Sequence, residues 1–147
     1  MNSPAQPTNS SENREDGSAI VEFLALAVML LIPSVWFLIG VSQIQAATYA
    51  AVGAADQATK MYIGSDAQAD IRAQRSEAGA HAALADFNIS PDQSTMTRTC
   101  SQDCDQPGSL VRYEIEVRVP LPLVPEFGGW EHSLVSVSAS STGVQGE

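Results

Sequence analysis

Basic side chains are scarce in this sequence. Its 147 residues carry seven Lys and Arg against 17 Asp and Glu, a formal net charge of −10. The seven are scattered at Arg14, Lys60, Arg72, Arg75, Arg98, Arg112 and Arg118. No basic stripe can neutralise a row of phosphates, which excludes a nucleic-acid partner. The same deficit excludes a polybasic protein held on anionic headgroups. Cysteine is scarce too, with only Cys100 and Cys104. Two thiols cannot close a tetrahedral zinc site, which takes four ligands. The two histidines, His81 and His132, fall far away in different expected elements. No metal site and no cofactor is expected. Catalytic motifs are also missing. There is no G-x-S-x-G, H-E-x-x-H or Walker loop, and nothing groups the available Ser, His and Asp residues. The chain is therefore not expected to be an enzyme.

What it does have is a long apolar run. Residues 23–41 include no charged side chain. As a helix they cover about 28 Å, close to the hydrocarbon thickness of a bilayer. Core helices of water-soluble proteins rarely stay apolar on every side for that length. Pro33, inside the run, is tolerated in a membrane helix as a kink and does not break it. An ordinary secretory signal fits poorly. The segment before the run has one base, Arg14, and three acids, Glu12, Glu15 and Asp16, whereas a signal has a net positive start and a shorter apolar stretch. The only nearby small-x-small triplet, Ala25-Leu26-Ala27, lies inside the run. Arg14 precedes the run, and the next base, Lys60, is far beyond it. The charge rule thus puts the amino terminus in the cytoplasm and the bulk of the chain outside.

Glu22 needs explaining. An acid at the centre of a membrane helix costs about 2.5–3.5 kcal/mol on insertion scales, and less near an end. Glu22 could be a simple interfacial acid in the first turn, facing the positive end of the helix dipole. Its neighbours suggest more. Gly17 directly precedes Ser18, and Glu22 is the fifth residue counted from Ser18. A cut after Gly17 would make Ser18 a free amino terminus. Its ammonium, or that of a neighbouring subunit, could pair with Glu22 inside the membrane. That pair would offset the burial cost and fix axial register between subunits.

The stretch Arg14, Gly17-Ser18, Val21-Glu22-Phe23 and the apolar run after it closely resembles the start of TadE-like proteins. These are pseudopilins of the tight-adherence (Flp) pilus, with a type IV prepilin-like amino terminus. The resemblance covers about 28 of the 147 residues. It implies cleavage after Gly17 by a prepilin peptidase, Ser18 as mature amino terminus, and Glu22 beside Phe23 as the register acid. It implies membrane lipid, the peptidase, other pilins and pseudopilins, and pilus platform proteins as partners. One departure is that prepilin leaders are usually basic near the cut, and this one is acidic. The globular part is large for a Flp major pilin, so the implied role is that of a minor pseudopilin, in a cytoplasmic (inner) membrane or a surface pilus used in cell adhesion. The competing expectation is an unprocessed single-pass protein whose outer domain binds or regulates an envelope partner. A secreted enzyme would instead require cleavage near Ala46 or Ala47.

The rest of the chain reads as a small α+β unit. Residues 1–17 form a leader, of which 1–16 are Ser, Asn, Pro and Gln rich and expected to be disordered. A transmembrane helix is expected over 18–41 and its extracytoplasmic extension over 42–62. In that extension Ile44, Ala47, Ala51, Ala54, Ala58 and Met61 make a helical stripe. The stripe could carry the chain's own sheet or pack on helices of other subunits. The extracytoplasmic domain, 63–147, starts with a break at Ile63-Gly64-Ser65. A second helix follows over 66–87, with Ser65 and Gln68 as a capping box. Its expected apolar face is Ala69, Ala73, Ala80, Leu84 and Phe87, and Asn88 and Pro91 stop it. His81 on this helix is expected to be loosely packed or solvent-facing.

Three antiparallel strands complete the unit. Residues 94–100 suit an edge strand. Val111, Tyr113, Ile115, Val117 and Val119 alternate with Arg112, Glu114, Glu116 and Arg118, the period of a half-buried strand. The charged positions of that strand read as a solvated ladder. The proline-rich 120–125 crosses in extended form, Phe127 to Trp130 turn, and 131–142 alternates again with Val135, Val137 and Ala139 inward. Cys100 and Cys104 close a tight loop between the first two strands. Outside the cytoplasm a disulfide is the default reading, one that shapes its loop more than it stabilises the whole.

Overall fold

The computed structural model of the chain describes residues 12–120 and 134–146. Two helices come first: α1 over Glu12–Ile63 and α2 over Ala69–Ala85. A short 3-10 turn, Pro91–Gln93, leads into β1 (Ser94–Cys100), β2 (Leu110–Pro120) and β3 (Leu134–Val144). The strands form one antiparallel sheet in the order β1-β2-β3. The chain divides into two compact units, Met1–Ile39 and Gly40–Glu147.

In the first unit, α1 is helical from Glu12 onward and runs through Pro33 without a break. The composition of 1–16 gave no hint of a helix start at Glu12, and residues 1–11 lie outside those described. Just after Pro33, the Ser34 hydroxyl donates to the Leu30 carbonyl at 2.7 Å. Such back-bonding satisfies a hydroxyl that has no water nearby. The large apolar side chains here, such as Phe23, Met29 and Phe37, are all exposed. The helix over Ser18–Ile63 is long and apolar enough to cross a membrane.

In the second unit, the alanine-rich part of α1 lies on the sheet. Ala47, Ala50, Ala51, Ala54, Ala55, Ala58 and Tyr62 are buried, in one cluster with the inward row of β2, Val111 to Val119. The stripe therefore does carry the chain's own sheet. Its edges differ from expectation: Ile44 is half-buried and Met61 is exposed, because the buried face turns to include Ala50, Ala55 and Thr59. Small side chains let the helix come close. At Gly143 of β3, an added Cβ would stand 2.8 Å from Ile63 Cδ1 and 2.9 Å from Thr59 Cγ2. Thr59 Oγ1 is 2.8 Å from the Ala55 carbonyl and 3.3 Å from the Ser141 carbonyl. β2 alternates strictly between buried and exposed residues. The inward Val135, Val137 and Ala139 of β3 are half-buried, as a strand at the sheet edge should be.

Two details of α2 correct the sequence reading. The helix starts at Ala69, not residue 66, and Gln68 occupies the cap position with an extended backbone and no side-chain cap. The Ser65 hydroxyl instead accepts weakly from the Ala67 amide at 3.4 Å, and from Arg75 at 3.3 Å. The buried face also differs, for it holds Arg72, Ser76 and Gly79 beside Ala80 and Leu84. Phe87 falls beyond the helix and is 46% exposed. Asn88 does end the helix, in the left-handed region at φ 57°, and the Ile89 amide returns to the Leu84 carbonyl at 3.1 Å. The segment 121–133, with the proline-rich crossing, the Phe127–Trp130 turn, His132 and the expected start of the last strand, lies outside the described residues.

Candidate functional site

Two places concentrate chemistry. The first is the start of the apolar helix. Gly17, Ser18, Glu22 and Phe23 all lie within α1. Ser18, Glu22 and Phe23 are exposed. Ser18 and Glu22 are four residues apart on a helix, so they share one face, one turn distant from each other. Among the residues whose side chains are described, from Ser18 onward, the ion pairs are Lys60–Asp56 and Arg72–Asp105, and neither involves Glu22. The carboxylate thus sits at the head of an apolar, lipid-length helix with its face open.

The second is where the end of α1, the start of α2 and the β1–β2 loop meet. Cys100, the last residue of β1, is bonded to Cys104 in that loop, with Cα atoms 5.3 Å apart. The next residue, Asp105, accepts from two buried donors with the same oxygen, Oδ1. One is the Tyr62 hydroxyl at 3.0 Å, and the other is the Arg72 guanidinium, which forms an ion pair with it. Tyr62 and Arg72 are 1% and 7% exposed. The Arg72 guanidinium is 5.0 Å from the centroid of the Tyr62 ring and that of Arg98 is 4.8 Å from it. Arg98 is on the inward side of β1, opposite Tyr113, and the Tyr113 ring packs on Tyr62 at 6.0 Å. Cations over an aromatic face are attracted by its quadrupole. Burial, and then the bond to Asp105, push the Tyr62 hydroxyl above its ordinary pKa of 10.0.

Sequence reasoning missed this cluster. Arg72 reads there as one scattered base, and nothing in the sequence pairs it with Asp105. The available signal was Arg72 and Ser76, polar residues four apart among alanines, where a wholly apolar face was expected.

The other candidates hold little chemistry. His81 is half-buried and its Nδ1 has no partner. No group of three potential metal ligands occurs among the described residues. The charged row on β2 is exposed, but Arg112 donates to Ser140 at 2.8 Å and Arg118 to the Asp92 carbonyl at 3.3 Å, so neither base pairs with Glu114 or Glu116. Two open grooves lie among the described residues of the second unit. One, about 680 Å³, runs between Met61, Gly64, Arg75 and Gly79. The other, about 330 Å³, lies among Gln43, Phe87, Ile89 and Val117. The first is also lined by Lys60, Ser65 and Asp66; Lys60 is paired with Asp56, and the Ser65 hydroxyl accepts from Arg75.

Comparison with known proteins found no match to a family model, to a curated protein or to a solved structure. The architecture is what remains. A long apolar amino-terminal helix, followed by a small antiparallel sheet that packs on the helix, is pilin-like.

Proposed function

We propose that this chain is a membrane-anchored minor pseudopilin, non-catalytic, cut after Gly17 and taking part in assembly or initiation of a tight-adherence pilus. One observation carries the reading. An acid, Glu22, stands exposed at the head of a membrane-length helix, one turn past the residue that a cut after Gly17 would make the new amino terminus. In lipid an unpartnered acid is costly, and the new ammonium would supply a partner. The pilin-like order of helix and sheet supports the same reading. Its partners on this view are membrane lipid, a prepilin peptidase, other pilins and the pilus platform proteins. The amino terminus lies in the cytoplasm and the second unit outside.

The test is the mature amino terminus. The chain is expressed with and without a prepilin peptidase, and intact mass and the amino-terminal peptide are read. The expected result is a start at Ser18 only when the peptidase is present. A chain that keeps Gly17 in both conditions overturns the reading. The second reading, an uncut single-pass protein with a binding domain outside, would then stand.

A further inference from the structure

We infer that the Cys100–Cys104 bond is a redox-sensitive latch: it holds Asp105 on Arg72 and so controls the docking of the first turns of α2. This stands whether or not the amino terminus is cut.

Arg72 is the starting point. It is a buried guanidinium in the first turn of α2, and its only ion-pair partner among the described residues is Asp105. Its Nε is buried without any partner. A buried charge stripped of its counter-charge is strongly unfavourable. The docked position of Arg72 thus depends on a carboxylate that α2 does not own. The same carboxylate oxygen takes the Tyr62 hydroxyl from the last turn of α1. One side chain therefore ties both helices to the sheet.

That side chain sits on a loop, not on a strand. Residues 101–109 have no ladder partner. The far side of the loop is held by backbone bonds, with the Gly108 amide donating to the Gln145 carbonyl at 2.9 Å and the Ser101 amide to the Leu110 carbonyl at 3.0 Å. Asp105 itself has one local bond, a long one from its amide to Asp103 Oδ1 at 3.3 Å. The turn around it is closed by the Gln106 amide on the Asp103 carbonyl at 3.1 Å, and the covalent bond ends at the residue before it. Cys100 and Cys104 are only half-buried, so a thiolate can reach them. A dithiol of the kind carried by thiol–disulfide exchange proteins would open the bond. It supplies two electrons and two protons, one of each to each sulfur, and itself becomes a disulfide. Asp105 is then free to leave, and Arg72 loses its counter-charge. The outer unit would complete its helix docking only where the bond can form, which links its maturation to an oxidising compartment.

The experiment uses the full chain in detergent micelles and reads amide hydrogen exchange by residue. The probes are dithiothreitol, the Asp105→Asn variant with its disulfide intact, and both together. Reduction is expected to speed exchange of the amides of residues 72–76 by about tenfold or more. Asp105→Asn should do the same without reduction, and reducing that variant should add little there. If reduction speeds exchange only in the loop 101–109, the backbone bonds hold Asp105 unaided and the latch is wrong. If Asp105→Asn leaves residues 72–76 unchanged, or if the two effects multiply, the latch is equally wrong. Should reduction unfold the whole unit, the oxidised Asp105→Asn variant still decides between these outcomes.

Discussion

Tyr62 shows how much one residue can join. Two guanidinium groups lie within 5.0 Å of its ring centroid and its hydroxyl reaches across to a third element. Because the folded state raises its pKa above 10.0, it binds its proton more tightly folded than unfolded. The contribution is fully present below the unfolded value and is lost as pH rises through the folded one. Tyr62→Phe should cost about 1 kcal/mol near neutral pH through the lost hydrogen bond. The gap between the two proteins should shrink at about pH 11, where the wild type alone pays the cost of ionisation. Denaturant midpoints of both proteins at the two pH values check this; a constant gap would mean the hydroxyl adds nothing that titrates. Gly143 gives a steric counterpart. Thr59 and Ile63 leave no room for a Cβ, so Gly143→Ala should destabilise by about 1–3 kcal/mol, read by the same unfolding curves.

At the scale of elements, the alanine face of α1 decides how near the helix lies to the sheet. Ala54 and Ala58 are fully buried. Ala58→Leu should therefore cost about 1–3 kcal/mol by overpacking, whereas Val52→Leu on the exposed face of the same helix should stay within about 0.5 kcal/mol. Thermal melts of the two variants test the contrast. Most of these elements were legible in the sequence, because burial writes a period into it. The bounds of β1 at residues 94–100 and the inward row of β2 follow directly from composition and alternation. The stripe of alanines at three- and four-residue steps located the helix face, though not which of its edges would be covered. The start of α2 was not legible, since Ser65 and Gln68 fit a cap pattern as well as a bend does, and only tertiary contacts choose. Nor was Arg72. A charge is buried only when a partner far off in the chain meets it, and no local pattern encodes that Asp105 arrives there. The disulfide was legible as a pair of nearby cysteines, but its bearing on α2 required the fold.

At the scale of the whole molecule, the two units carry separate tasks. Among the described residues the buried apolar ones all belong to the second unit, and seven of those fourteen come from α1 between Ala47 and Tyr62. A chain starting at Gly40 should therefore fold without lipid and melt cooperatively. One starting at Ile63 should not, because it loses half of that core. Circular dichroism melts of the two fragments separate these outcomes. The first unit offers an exposed apolar surface, with one acid, Glu22, past Gly17. If that acid sets register in an assembly, removing its charge must harm the assembly and not the monomer. Glu22→Gln keeps the shape and the helix propensity of the side chain while abolishing its charge. It should leave membrane level and cleavage after Gly17 unchanged, yet reduce pilus assembly by at least tenfold, since the ion pair in lipid is lost. Sheared-filament yield and mature mass, measured on the same cells, read both quantities. Normal filaments from Glu22→Gln would return Glu22 to the role of an interfacial acid whose charge the assembly does not use.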